Sequence, residues 1–318
     1  MAQKVLPFIT HLVNGVHKGA VDIFVQAGSP VQAKIKGHIV DLSDDVKLTP
    51  YAIQAYMEDM YVKMANRPKE LVTQISDDEF SFYIPDVARF RVSVYRQRGT
   101  PGAVIRVVSF TVPSYQELNI PERIMDYGSH TSGLLIISGL SCSGKSTTQA
   151  CLVDRINHTR DAHIITVEEP IEFVHRNDKS FITQREVPLD AADMSVAVHA
   201  AMRQSPDVLV LSKLADQDII SKALNTAESG HLVIAIVDAS TPVAAIDKLV
   251  SAFPHEQREL VLNQLSTTLI ADLHEHLVQK EDGELKPEFD VLDATDSIRG
   301  MIRENRINGL SNYIEAIR

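Results

Sequence analysis

Eight residues near the middle of the chain have the types and spacing to grip phosphate. Gly139-Leu140-Ser141-Cys142-Ser143-Gly144-Lys145-Ser146 fits the pattern G-x-x-x-x-G-K-[ST]. The glycines let successive backbone N–H groups turn toward one point, and a helix beginning near Lys145 aims its N-terminus at the same point. Lys145 supplies a point charge to β- and γ-phosphate oxygens, Ser146 offers a hydroxyl to Mg²⁺, and Thr147 continues the cradle into the helix. The chemistry implied is capture of a nucleoside triphosphate. Cys142 stands where a glycine would be less restricted, and its Cβ narrows the conformations open to the loop. A helix N-terminus also lowers thiol pKa, so a reactive thiol stands beside a passive small residue as readings of Cys142.

Such a loop needs a strand before it and a helix after it. Leu134-Leu135-Ile136-Ile137-Ser138 is a continuous apolar run, and residues 146 to 157 have helical spacing. His163-Ile164-Ile165-Thr166-Val167, Val208-Leu209-Val210-Leu211 and Leu232-Val233-Ile234-Ala235-Ile236-Val237 read as further buried strands separated by helices. This rhythm predicts an α/β domain with a mostly parallel sheet covered on both faces.

The first third of the chain is different. Apolar positions at helical spacing (Val5, Phe8, Ile9, Leu12, Val16) precede short strand-like runs at 22 to 25 and 31 to 35. A helix is expected over 50 to 66, then alternating runs at 79 to 84 and 90 to 95 and a strand at 104 to 108. We therefore expect a smaller α+β domain over 1–112, a linker over 113–122 containing Pro113 and Pro121, and the nucleotide domain over 123–318 with a C-terminal helical subregion.

The net charge of −11 argues against broad nucleic-acid binding, which needs basic surface. No apolar run approaches the ~20 residues of a membrane helix, and the first residues lack a signal-peptide pattern. Cys142 and Cys151 are the two cysteines; with one inside the loop they provide no disulfide scaffold and fit a reducing cytoplasm.

Downstream of the loop, Thr166-Val167-Glu168-Glu169-Pro170-Ile171-Glu172-Phe173-Val174-His175 resembles the acidic box of the type IV pilus retraction ATPases, PilT and PilU, a branch of the secretion ATPase superfamily. Gln184-Arg185-Glu186-Val187, Ser205-Pro206-Asp207-Val208, Ala227-Glu228-Ser229-Gly230-His231-Leu232-Val233 and Phe253-Pro254 agree in order and spacing. Ser297-Ile298-Arg299-Gly300-Met301-Ile302-Arg303-Glu304 resembles the family's retraction signature. Gly19-Ala20-Val21-Asp22-Ile23 and Ala88-Arg89-Phe90-Arg91-Val92 extend the likeness into the first domain. The resemblance implies a PAS-like N-terminal domain, a RecA-like ATPase domain, ATP as ligand and a six-membered ring, homomeric or mixed with a catalytic paralogue. It also implies a peripheral place at the inner face of the inner membrane, against the pilus platform protein. By the same resemblance Glu172 is the catalytic carboxylate that orients water, Arg91 and Arg106 are arginine fingers, and His231 opens the histidine box.

Two departures bear on hydrolysis. Where the family ends a strand with Gly-Glu, this chain has Val210-Leu211-Ser212-Lys213-Leu214, so a lysine replaces a carboxylate that helps hold Mg²⁺. Two unit charges ~4 Å apart interact by about 4 kcal/mol at an effective dielectric of 20, so the inversion weighs heavily at a divalent-cation site. Asp238 replaces the later histidine of the box. One expectation is that Lys213 occupies the metal or water position and pairs with Glu172 or a phosphate, giving an ATP-binding pseudo-motor or scaffold. The alternative is that Lys213 turns outward while Glu168, Glu169 or Asp207 serves the metal, leaving an active motor. His274-Glu275-His276 is expected at a solvated helix end, where positions i and i+2 do not share a face. Residues 41 to 45 read as a charged turn.

Overall fold

The computed structural model describes residues 7–42, 47–73, 77–108, 112–279 and 285–317. Val5 and part of the expected charged turn lie outside these residues. The chain divides into two compact units, residues 1–110 and 111–318.

In the first unit, strands β1 (Asp22–Val25), β2 (Gln32–Ile35), β3 (His38–Asp41), β4 (Asp78–Ile84), β5 (Ala88–Gln97) and β6 (Thr100–Val108) form one sheet in the order β3-β2-β1-β6-β5-β4. Every pairing is antiparallel. Alternate residues of β5 are buried because one face of the sheet packs on the helices and the other does not. Phe8, Leu12, Ile53, Met57, Tyr61 and Phe90 fill that packed face. The helix Pro50–Glu58 starts where Thr49 accepts from the Ala52 N–H, with Pro50 at the first helical position. It continues as a wider π turn over Asp59–Met64, so the expected helix over 50 to 66 holds with a change of pitch.

The second unit is built on an eight-stranded sheet of β7 (Gly133–Gly139), β8 (His163–Glu168), β9 (Phe181–Glu186), β10 (Val208–Leu211), β11 (Leu232–Asp238), β12 (Leu269–Gln279), β13 (Leu285–Asp293) and β14 (Glu315–Ile317). The order is β14-β13-β12-β7-β11-β10-β8-β9. The pairings from β12 to β9 are parallel, and β13 and β14 add an antiparallel edge. All seven residues of β7 are buried. Leu134 and Ile136 face the core that contains Ala197, Leu224 and Leu249, whereas Leu135 and Ile137 face the helix Lys145–Thr159 through Leu152 and Ile156. Burial on both faces is why these strands read as unbroken apolar runs.

The structure corrects one stretch. The helix His255–Thr268 leads directly into β12. His274-Glu275-His276 therefore lies on a strand, with His274 and Glu275 buried. A strand places i and i+2 on one face, so the two histidines point one way and Glu275 the other.

Phe90 is fully buried, and its ring stacks on Phe82 at 5.3 Å between centroids. Phe90→Ala is expected to destabilise the first unit by about 3–5 kcal/mol, measured as a lowered urea midpoint.

Candidate functional site

Parallel strands collect their C-terminal ends along one edge of the sheet. There the ends of β7, β8, β10 and β11 bring together the phosphate loop, the segment 168 to 175, Ser212-Lys213 and Asp238. The loop is shaped by positive φ at Gly139 (154°), Cys142 (64°) and Gly144 (109°). A Cβ at Gly144 would lie 2.3 Å from Glu275 Oε1, and one at Gly139 would lie 2.4 Å from the Glu275 carbonyl oxygen. Both glycines are therefore demanded by contact as well as by conformation. Cys142 holds a left-handed conformation in spite of its Cβ and is an exposed free thiol. Cys151, also free, is buried, and its thiol donates to the Pro113 carbonyl at 3.3 Å.

The Lys145 ammonium donates to the Leu140 carbonyl at 2.5 Å and meets Asp238 Oδ1 at 3.2 Å. The Ser143 hydroxyl is buried without a partner. Open N–H groups, an inward lysine and an unsatisfied hydroxyl at the start of a fifteen-residue helix fit a polyphosphate.

Ser146 Oγ donates to Glu172 Oε1 at 3.2 Å. Ser146 and Glu172 share a small hollow with Gln149, Glu168, His175 and Ser212. Glu168 accepts from Thr166 at 2.6 Å and from Gln184 at 3.1 Å. Burial nevertheless pushes its carboxyl up to about 7. Burial drives the His175 imidazole down to about 4.

Of the two placements expected of Lys213, the structure does not show the pairing with Glu172. Its ammonium pairs with Glu169, both side chains remain partly exposed, and Glu172 keeps its contact with Ser146. The loop is held by the Ser212 hydroxyl, which accepts from the Glu169 N–H at 3.0 Å, and by the Leu214 N–H, which donates to the Ile236 carbonyl. Of the three acids considered for the metal, Glu169 is thus engaged by Lys213. Asp207 lies at the opposite edge, its carboxylate accepting from the His163 N–H at 2.7 Å at the start of β8.

His231 is also at that far edge. It precedes β11, where its ring nitrogen contacts Ser229 Oγ and the Thr226 carbonyl and its own carbonyl accepts from Gly133. Strand β11, whose last residue is Asp238, runs between His231 and that aspartate, a rise of roughly 20 Å. Within the second unit, His231 is not assembled with the phosphate loop. In the first unit, Arg91 and Arg106 are cross-strand partners on β5 and β6. Arg91 pairs with Glu79 at 2.9 Å and Arg106 with Asp22 at 3.0 Å, around a shared hollow.

Comparison with known proteins identifies the family. The family model "Type II/IV secretion system protein" matches residues 6–304. This chain belongs to that family. The type IV pilus retractation ATPase PilT of Pseudomonas aeruginosa is 32% identical over 298 residues, covering 94% of this chain and 86% of the relative. The type IV pilus ATPase PilU of the same organism is 30% identical, covering 93% and 76%. The crystal structure of the pilus retraction motor PilT with bound ADP superposes with a TM-score of 0.87 at 33% identity, covering 97% of this chain and 89% of that one. The fold is thus that of a RecA-like secretion ATPase with a smaller N-terminal domain.

Sequence reasoning missed Glu275, the buried carboxyl beneath the loop. The alternation of Leu273, Glu275 and Leu277 with its neighbours is a strand signal, but the preceding helical stripe obscured it. Burial pushes Glu275 up to about 8, against the nearby Lys145 ammonium. A carboxyl raised from its ordinary 4.5 contributes stability that is complete below pH 4.5 and lost as pH rises through about 8. Glu275→Gln removes that titration. We expect the variant to be more stable than the native chain by on the order of 3 kcal/mol near pH 7 to 8, with the gain vanishing near pH 4.5 in thermal melts across pH.

Proposed function

We propose that this chain is an ATP-binding protein of the type IV pilus motor group whose hydrolysis is impaired. The observation carrying the proposal is the end of β10, where Lys213 stands in place of a carboxylate and pairs with Glu169. Impairment then comes from the missing ligand and not from a blocked catalytic carboxylate, since Glu172 faces Ser146. The donors left for Mg²⁺ are the Ser146 hydroxyl, Glu168 and Glu172, and of these Glu168 already accepts from Thr166 and Gln184 and Glu172 from Ser146. That set fits a divalent cation poorly compared with one containing a free strand-end carboxylate. Mg²⁺, where bound, would neutralise phosphate charge.

The chain's own residues still hold the nucleotide. The loop N–H groups and Lys145 receive the phosphates, and Glu172 lies where a carboxylate can orient water. By family likeness the protein works in a ring, homomeric or mixed with a catalytic paralogue, at the cytoplasmic face of the inner membrane against the pilus platform protein. No helix of the described residues is long and apolar enough to cross a membrane, which supports a peripheral place. In such a ring it would modulate pilus retraction and twitching motility. One observation favours a second reading, a fully active motor: Glu172 is not engaged by Lys213.

Phosphate release by the purified protein separates the two. We expect turnover at least tenfold below that of Lys213→Glu, a difference of about 1.4 kcal/mol or more in barrier. Robust native turnover that Glu172→Ala abolishes would establish the active motor instead.

A further inference from the structure

The Lys145–Asp238 contact has a consequence for which nucleotide the site prefers. Asp238 ends β11 with its Cα opposite Gly139 in the parallel ladder. The Ala239 N–H donates to the Gly139 carbonyl at 3.2 Å, and Lys248 donates to the Asp238 carbonyl at 2.9 Å from the helix Pro242–Ser251. The backbone of Asp238 is therefore pinned beside the first residue of the phosphate loop. Its carboxylate, 64% exposed, reaches inward to the ammonium of Lys145, whose side chain is 8% exposed.

An ammonium has three donors. Here the Leu140 carbonyl and Asp238 occupy two of them. In a phosphate loop the lysine serves oxygens of the β- and γ-phosphates. A diphosphate can be met by the remaining donor while Asp238 stays in place. A triphosphate asks for a second donor and brings its terminal charge onto the flank of Lys145 that Asp238 holds. The Asp238 carboxylate must then leave, or remain as a like charge at close range. Lys248 reaches the backbone carbonyl of Asp238 and softens this repulsion without removing it.

We propose that Asp238 is a specificity-determining residue that biases the site toward the nucleoside diphosphate over the triphosphate. This rests on the nucleotide-binding reading above and extends it: the chain would spend more of its time in the diphosphate-bound state than a site lacking that carboxylate.

Equilibrium binding of ADP and of the β,γ-imido analogue of ATP to the full-length protein tests the proposal, using native chain, Asp238→Asn, Asp238→Glu and Lys145→Ala. The native chain should bind ADP more tightly than the analogue. Asp238→Asn should shift the ratio of the two dissociation constants toward the triphosphate by about tenfold, and Asp238→Glu should keep most of the native preference. Equal tightening of both nucleotides in Asp238→Asn would overturn the proposal, because Asp238 would then only shield an empty lysine. An unchanged ratio would overturn it too. Binding of neither nucleotide to any chain would overturn the nucleotide-binding reading along with it, whereas loss confined to Lys145→Ala leaves that reading standing.

Discussion

The loop that ends β7 has no room for side chains along its inner wall, because the carboxyl of Glu275 fills the space behind Gly144 and its main chain backs Gly139. Much of the second unit serves that constraint. The strand is enclosed on both sides by β11 and β12, so the backbone must turn outward at its end. The turn requires positive φ at three positions, and two of these are glycines with no alternative. The third, Cys142, takes the same conformation at a cost of about 1–2 kcal/mol. It faces solvent rather than Glu275, which is why a side chain is tolerated there.

Charge around the loop is arranged in local pairs. Lys145 meets Asp238, Lys213 meets Glu169, and Glu172 receives the Ser146 hydroxyl. Two carboxyls that burial would leave unpaired, Glu168 and Glu275, are pushed toward their neutral forms. In a chain of net charge −11, the carboxylates Asp238 and Glu169 beside the loop are thus each met by a lysine. The lysine just after β10 sets the charge of this edge through its pair with Glu169. The Ser212 and Leu214 hydrogen bonds that hold the turn do not involve the Lys213 side chain.

Much of the second unit was legible in the sequence because its strands are buried on both faces and therefore uninterrupted: β7, β8, β10 and β11 all lie where the apolar runs place them. Strands β9, β12, β13 and β14 were not. Phe181–Glu186 carries polar residues because it is an edge strand, and Leu269–Gln279 includes an aspartate, two histidines and a glutamate that no hydropathy pattern marks as interior. The residues around the loop were legible through motif and resemblance. Their contacts were not: the choice of Lys213 between Glu172 and Glu169 depends on where the turn after β10 aims one side chain. Placement of His231 at the far edge follows from strand direction, which needs the sheet and not the sequence alone.

We propose that this site holds nucleotide with little help from a divalent cation, because Lys213 stands where the resemblance implies a strand-end carboxylate. Calorimetric titration of the native protein with ATP, in excess Mg²⁺ and in excess chelator, tests it most directly. The two dissociation constants are expected to agree within about threefold, which corresponds to under 1 kcal/mol. Tightening by a hundredfold or more on adding Mg²⁺ would contradict it, and would mean that Ser146 with the remaining carboxylates makes an effective metal site despite the lysine.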